Sequence, residues 1–296
     1  RSYHKVAHRN RAPLPWRFID PARTLGEMRL LKEPAEIDLL REAGRISAEA
    51  HVLAMRTGRP GVHEYEVEAA VDGYFRKKGG NGPGYTTIVG GGKNACILHY
   101  ITNREVLTKG DLCLVDAGCE YRYYTADITR TFPVSGKFSG PQKDLYNVVL
   151  AAQLDAIDCA RVGRPFRDMH DAAIRRLSEG LVDLGFFGDE ADVDEVIVEE
   201  KYKKYYMHGT GHWLGLDVHD AGAYWQGFAS RPLQAGMVRT VEPGLYIPID
   251  DNDAPKPFRG IGIRIEDDIH VTEGEPDNLT AACPKTIKEV EAACRG

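Results

Sequence analysis

Asp116, Asp127, His212, Glu242 and Glu266 each carry metal-binding donor atoms, and each stands inside a dense local motif of this 296-residue chain. Four of the five are carboxylates. Four negative charges brought together in one fold cost several kcal/mol per ion in lost hydration, and a pair of divalent cations would neutralise them. Carboxylate oxygens with one imidazole suit Mn²⁺, Co²⁺, Zn²⁺ or Fe²⁺, among which Mn²⁺ is our expectation, with Co²⁺ or Zn²⁺ as substitutes. Two such ions about 3.5 to 4 Å apart share a bridging water, depress its pKa and clamp the oxygen that develops on an attacked carbonyl. The chemistry expected is therefore hydrolysis at a dinuclear centre.

Each ligand has a positional argument of its own. Asp116 ends the apolar run Leu112 to Val115, and Asp127 follows the segment E-Y-R-Y-Y-T. A hairpin with Tyr121 and Arg122 at its tip would pair residues whose numbers sum to about 243, making the two aspartates cross-strand neighbours. Solvated hairpin carboxylates are the alternative, and the apolar lead-in argues against them. Glu242 and Glu266 close the runs M-V-R-T-V-E-P-G and G-I-G-I-R-I-E-D-D-I. Alternation in the second run places Arg264, Glu266 and Asp268 on one face and Ile263, Ile265 and Asp267 on the other, so that Arg264 should neighbour the Glu266 carboxylate or, more blandly, form a cross-strand ion pair. The stretch M-H-G-T-G-H-W-L-G-L-D-V-H-D supplies His208, His212 and His219 among glycines that let backbone approach a ligand closely.

The elements that must hold these residues read as helices, then hairpin strands, twice over. Apolar spacing at Ile37, Leu40, Ala43, Ile46, Ala50 and Leu53 predicts a helix from Glu33 to Met55, entered at Pro34 and stopped by Gly58 and Pro60. A second helix is expected over His63 to Lys78. Strand-like runs follow at Tyr85 to Val89, Ala95 to His99, Leu112 to Ala117, Tyr121 to Thr125 and Asp127 to Val134. Pro141 to Val162 and Pro165 to Leu184 read as helices. Val238 to Glu242, Gly244 to Ile247, Ile261 to Glu266 and Ile269 to Thr272 read as strands, and Pro284 to Cys294 as a closing helix. The expected class is α+β, with two similar halves around mixed or antiparallel sheets. Gly90-Gly91-Gly92 lacks the G-K-[ST] of a phosphate loop and reads as a turn. Residues 1–31, with Arg1, Lys5, Arg9, Arg11 and Arg17, read as the linker or tail of an amino-terminal domain, and residues 32–296 as the catalytic domain.

Composition narrows the partners. A net charge of −6 argues against nucleic acid, which needs surplus Lys and Arg on one face. There is no apolar run of the roughly 18 residues that a membrane span requires, and a cytoplasmic location is the expectation. The six cysteines, Cys96, Cys113, Cys119, Cys159, Cys283 and Cys294, contain no CxxC pair and read as free thiols.

Five ordered motifs give the chain a family likeness. Y-T-T-I-V-G-G-G-K-N-A-C-I-L-H-Y, V-D-A-G-C-E-Y-R-Y-Y-T-A-D-I-T-R-T-F-P, H-G-T-G-H-W-L-G-L-D-V-H-D, T-V-E-P-G-L-Y-I and G-I-G-I-R-I-E-D-D-I resemble the pita-bread metallopeptidases, and among them the Xaa-Pro aminopeptidases, over about residues 27–290. The resemblance implies a pita-bread fold whose two αβ halves have curved sheets that enclose a dinuclear metal site. By it Asp116 would bind one metal in bidentate fashion, Asp127 and Glu266 would bridge both, and His212 and Glu242 would each hold one, with Glu242 also shuttling a proton. His99, His208 and His219 would line the substrate cleft and steady the tetrahedral intermediate; Arg264 and Tyr246 would stand beside the site, Tyr246 as a substrate-binding group, and Thr129 would support a metal ligand. The implied reaction removes an amino-terminal residue that precedes proline, whose nitrogen has no N–H for an ordinary peptidase to grip. Peptides with proline second are the implied partners, with assembly into a homo-oligomer left open. Prolidase, a dipeptidase on the same scaffold, and a non-catalytic peptide-binding relative are the alternatives.

Overall fold

The computed structural model describes residues 20–295. Helices α1 (Ala22–Leu30), α2 (Pro34–Thr57) and α3 (Glu64–Lys77) come first, followed by strands β1 (Gly82–Pro83), β2 (Ile88–Gly91), β3 (Leu112–Asp116), β4 (Cys119–Tyr121), β5 (Tyr124–Thr125) and β6 (Thr129–Pro133). Then come α4 (Gly140–Asp158), α5 (Asp168–Asp183) and α6 (Val193–Val198), and after them β7 (Trp225–Gln226), β8 (Ala229–Ser230), β9 (Val238–Val241), β10 (Gly244–Ile247), β11 (Ile261–Arg264), β12 (Asp267–His270), β13 (Asp277–Asn278) and α7 (Ile287–Ala293).

Local chemistry starts and stops these elements as expected. The Glu33 N–H donates to the Glu36 carboxylate at 2.7 Å, Pro34 fills the first helical position, and α2 then runs with Ile37, Leu40, Ala43, Ile46, Ala50 and Ala54 buried along one stripe. Ser139 and Gln142 cap α4 in the same reciprocal way. In the first half α2 packs with α3 and with β4 and β5, and α3 with β1 and β2; in the second α4 packs with α5 and with β9, β10 and β11, so a helix pair laid on antiparallel strands recurs. Every pairing among the described residues is antiparallel, which removes the mixed-sheet alternative.

Several expectations need correction. Residues 92–96 form a 3₁₀ turn where a strand over Ala95 to His99 was expected, because Gly92, at φ 53°, turns the chain away from β2. The β4–β5 turn lies at Arg122 and Tyr123, both at positive φ (50° and 73°), and pairs residues whose numbers sum to 245, as in Glu120 with Thr125. Asp116 therefore faces Thr129, while Asp127 occupies the break before β6. Residues 193–198, for which no element was expected, form the short helix α6. Residues 1–19 of the expected tail lie outside the described residues. Residues 22–30, for which no element was expected, form α1, and its Leu30 is buried against Gly222. None of the six cysteines is bonded to another.

Candidate metal centre

The four carboxylates stand at ends or interruptions of strands. Asp116 is the last residue of β3, Asp127 precedes β6, Glu242 lies between β9 and β10, and Glu266 between β11 and β12. Such positions free the side chains from the flat face of a sheet and aim them from both halves into one cleft of about 570 Å³. Asp116, Asp127, His212, Glu242 and Glu266 all line it, as do His99, His208, His219 and Arg264. One donor atom each from Asp127, His212 and Glu266 lie within 4.8 Å of one another. Glu242 joins through His212, whose Nε2 is 3.7 Å from Glu242 Oε1 and 3.4 Å from Asp127 Oδ2. Asp116 joins through Tyr85, whose hydroxyl lies 2.6 Å from Asp116 Oδ1 and 2.5 Å from Asp127 Oδ1.

This donor set fits a cation. The Tyr85 hydroxyl has one proton and faces two carboxylates, so two ionised groups there would leave one oxygen pressed against an occupied lone pair. Burial first, and then the neighbouring carboxylates, push Glu266 well above the usual carboxylate range. Asp127 is raised, by burial foremost. Burial also raises Glu242, to about 7, although His212 and Arg264 pull against it. Positive charge is what the cluster lacks. His212 supplies part of it: burial lowers its pKa, but the hydrogen bond and charge of Asp127, with Glu242, outweigh burial and lift it to about 9. His212 Nδ1–H donates to the Trp213 carbonyl at 3.0 Å, which directs Nε2 at the carboxylates, as in a metal-binding imidazole.

A supporting layer lies behind the donors. Thr129 Oγ1 donates to Glu266 Oε2 at 2.6 Å and accepts from Arg264 Nε at 3.0 Å. Arg264 pairs with Asp116 at 2.6 Å and meets Glu266 only through Thr129, so the expected direct contact is replaced by a relay. Tyr246, 1% exposed, lies behind the lining: its hydroxyl accepts from Arg264 Nη1 at 3.0 Å and donates to His208 Nε2 at 2.8 Å. His208 Nδ1–H in turn donates to the Gly209 carbonyl at 2.8 Å. That chain of donors requires a neutral imidazole, and burial and the Arg264 charge, which hold His208 down at about 4, agree with it. Gly211 is dictated by space, since a Cβ there would meet the Thr240 carbonyl oxygen at 2.0 Å. Tyr85, Val218 and Tyr224 also line the cleft. Sequence reasoning gave none of them a role; Tyr85 had a signal in opening the Y-T-T-I-V run.

Comparison with known proteins gives the chain its family. Residues 38–273 match the model of metallopeptidase family M24. The Xaa-Pro aminopeptidase of Haemophilus influenzae is 51% identical over 90% of this chain and 61% of its own length, and that of Escherichia coli is 48% identical over 94% and 62%. The chain thus spans about three fifths of the curated relatives it matches. The structure of Pseudomonas aeruginosa aminopeptidase PepP superposes with a TM-score of 0.96 at 46% identity, covering 99% of this chain and 66% of that one. Aminopeptidase P from E. coli with the inhibitor Pro-Leu gives a TM-score of 0.94 at 46% identity, over 98% and 65%.

Proposed function

Because the chain belongs to metallopeptidase family M24 and has its pita-bread fold, we propose that it is a dinuclear metallo-aminopeptidase that removes an amino-terminal residue preceding proline. The single observation that carries this reading is the convergence of Asp127, His212 and Glu266, flanked by Asp116 and Glu242, in one cleft. In it these five residues hold two divalent ions, with Mn²⁺ our choice and Co²⁺ or Zn²⁺ as substitutes. When bound, the ions supply Lewis acidity and the means of making water nucleophilic at neutral pH.

The chain's own groups do the rest. Glu242 Oε2, 3.9 Å from His208 Nδ1, is the base that accepts a proton from the attacking water and passes it towards the proline nitrogen. His208, held neutral between Tyr246 and Gly209, positions the substrate without adding charge, and His99 and His219 bound the cleft beside it. Leu98, Ile101 and Val218 give the walls an apolar surface for the first side chain and the proline ring. Arg264 and Thr129 orient Asp116 and Glu266. A cytoplasmic site of action belongs to the same proposal; among the described residues no helix is long and apolar enough to cross a membrane.

The test is hydrolysis by the purified chain with Mn²⁺ of Xaa-Pro-Yaa, Xaa-Ala-Yaa and Xaa-Pro peptides. Cleavage of the first alone supports the proposal. Cleavage of the dipeptide alone makes the chain a prolidase, and no cleavage with no bound metal makes it a peptide-binding module.

A further inference from the structure

The His219 side chain is little held, although backbone bonds pin its loop on either side, the Asp220 N–H donating to the Trp213 carbonyl at 2.9 Å and the Gly215 N–H to the Asp217 carbonyl at 3.2 Å. Residues 216–219 form no helix or ladder, the His219 ring makes no hydrogen bond among the described residues, and its one aromatic contact is with the His212 ring, at 4.3 Å between centroids. The carboxylates on either side of it are nevertheless tied down. Arg29 Nη2, from α1, donates to Asp217 at 2.6 Å and also to Asp220, and so spans His219 from outside the cleft. Lys32 Nζ, just beyond α1, donates to the other Asp220 oxygen at 3.0 Å. Lys32 and Asp220 side chains are each 1% exposed. A Cβ at Gly215 would meet Asp220 Oδ2 at 2.3 Å and Lys32 Cε at 3.0 Å, so the chain leaves out a side chain to admit the pair.

A buried ion pair stabilises a fold little, because desolvation cancels most of its attraction, but it fixes geometry sharply. Here the geometry fixed is a loop with no ladder of its own. We propose that Lys32 and Arg29, acting through Asp220, are positioning residues that hold His219 against the cleft, which makes the segment around α1 a working part of the site. The inference rests on the proposed aminopeptidase reading for the role of His219, but the clamp itself does not need that reading.

Two measurements on the whole chain separate these layers. In the metal-free, histidine-labelled protein, the His219 imidazole line, assigned by its loss in His219→Asn, should shift or broaden in Lys32→Met, while the line of remote His51 stays fixed. In Lys32→Met the buried Asp220 carboxylate keeps only Arg29; the double change Lys32→Met with Asp220→Asn removes that half-answered charge, so it reports even where the single change fails to fold, and the His219 line should move there too. With metal bound and its content unchanged, Lys32→Met should raise KM and lower kcat/KM for Xaa-Pro-Yaa by about tenfold, the effect of a reacting group displaced by a fraction of an ångström. Lys32→Arg should recover most of it. A His219 line at its wild-type position in both variants, or kcat alone falling in proportion to lost metal, overturns the clamp. Failure of the wild type to cleave any Xaa-Pro peptide would defeat the aminopeptidase proposal and leave the resonance test to decide the clamp.

Discussion

Two adjacent residues, Glu266 and Asp267, are both buried carboxylates, and the chain treats them in opposite ways. Asp267 has its own cations: Arg130 Nη2 at 2.7 Å and Lys285 Nζ at 2.7 Å, with Gln153 and Thr280 donating as well. Burial would raise its pKa, but the Arg130 and Lys285 charges prevail and hold it well below the usual range. Glu266, on the other face, receives Thr129 and no direct cation, and is pushed far the other way. A fold that satisfies one buried acid so fully, and answers four others across the backbone only with Arg264 on Asp116 and His212 beside Asp127 and Glu242, has kept that cluster for charge from outside. Glu266 and Asp267 are thus told apart by what answers them.

Substitutions at the two residues sharpen the contrast. Glu266→Gln or Asp127→Asn should lower hydrolysis by on the order of 10³-fold, since several kcal/mol of electrostatic stabilisation leave with the metal. The metal-free Glu266→Gln protein should melt no lower than wild type, because a repelling charge is gone. Asp267→Asn should do the reverse, costing about 3–5 kcal/mol in denaturant unfolding by stranding Arg130, while folded molecules keep their turnover. Equal loss of stability from both changes would erase the distinction.

The two faces also predict opposite pH slopes. Asp267, lowered on folding, contributes stability that is present above its ordinary value near 3.9 and lost as pH falls toward the folded one. Glu242 is raised from 4.5 to about 7, and His212 from 6.5 to about 9, so in the metal-free chain their share is full below the ordinary values and lost as pH rises through the folded ones. Unfolding free energy of the metal-free protein should therefore fall by about 3 kcal/mol between pH 4.5 and 7, and saturating Mn²⁺ should remove that fall. A flat profile would count against the under-compensated cluster. The smallest effect is expected at the relay: Thr129→Val should weaken metal binding about tenfold by calorimetry, with the fold unchanged.

Much of this contrast was legible in the chain. Alternation in G-I-G-I-R-I-E-D-D-I placed Glu266 and Asp268 opposite Asp267, and their partners agree: Asp268 accepts from the Asp127 N–H while Asp267 meets Arg130. Helix caps and apolar stripes gave most elements within a few residues. What sequence could not give was register and tertiary partnership. The turn at Arg122-Tyr123 takes positive φ without the Asn or Gly that signals it, which moved the pairing sum from 243 to 245. Arg264 chose Asp116, distant in sequence, over nearby Glu266. Helix α1 is fixed by ion pairs such as Glu27 with Arg231 and Arg29 with Asp220, which no local pattern announces.

Metal stoichiometry is the most direct test of this under-compensated cluster of acids. Elemental analysis of the chain dialysed from excess Mn²⁺ should find two ions per molecule in the wild type, two in Asp267→Asn and fewer in Glu266→Gln. A wild-type chain that retains no divalent ion, or a Glu266→Gln chain that retains the full pair, would contradict the account.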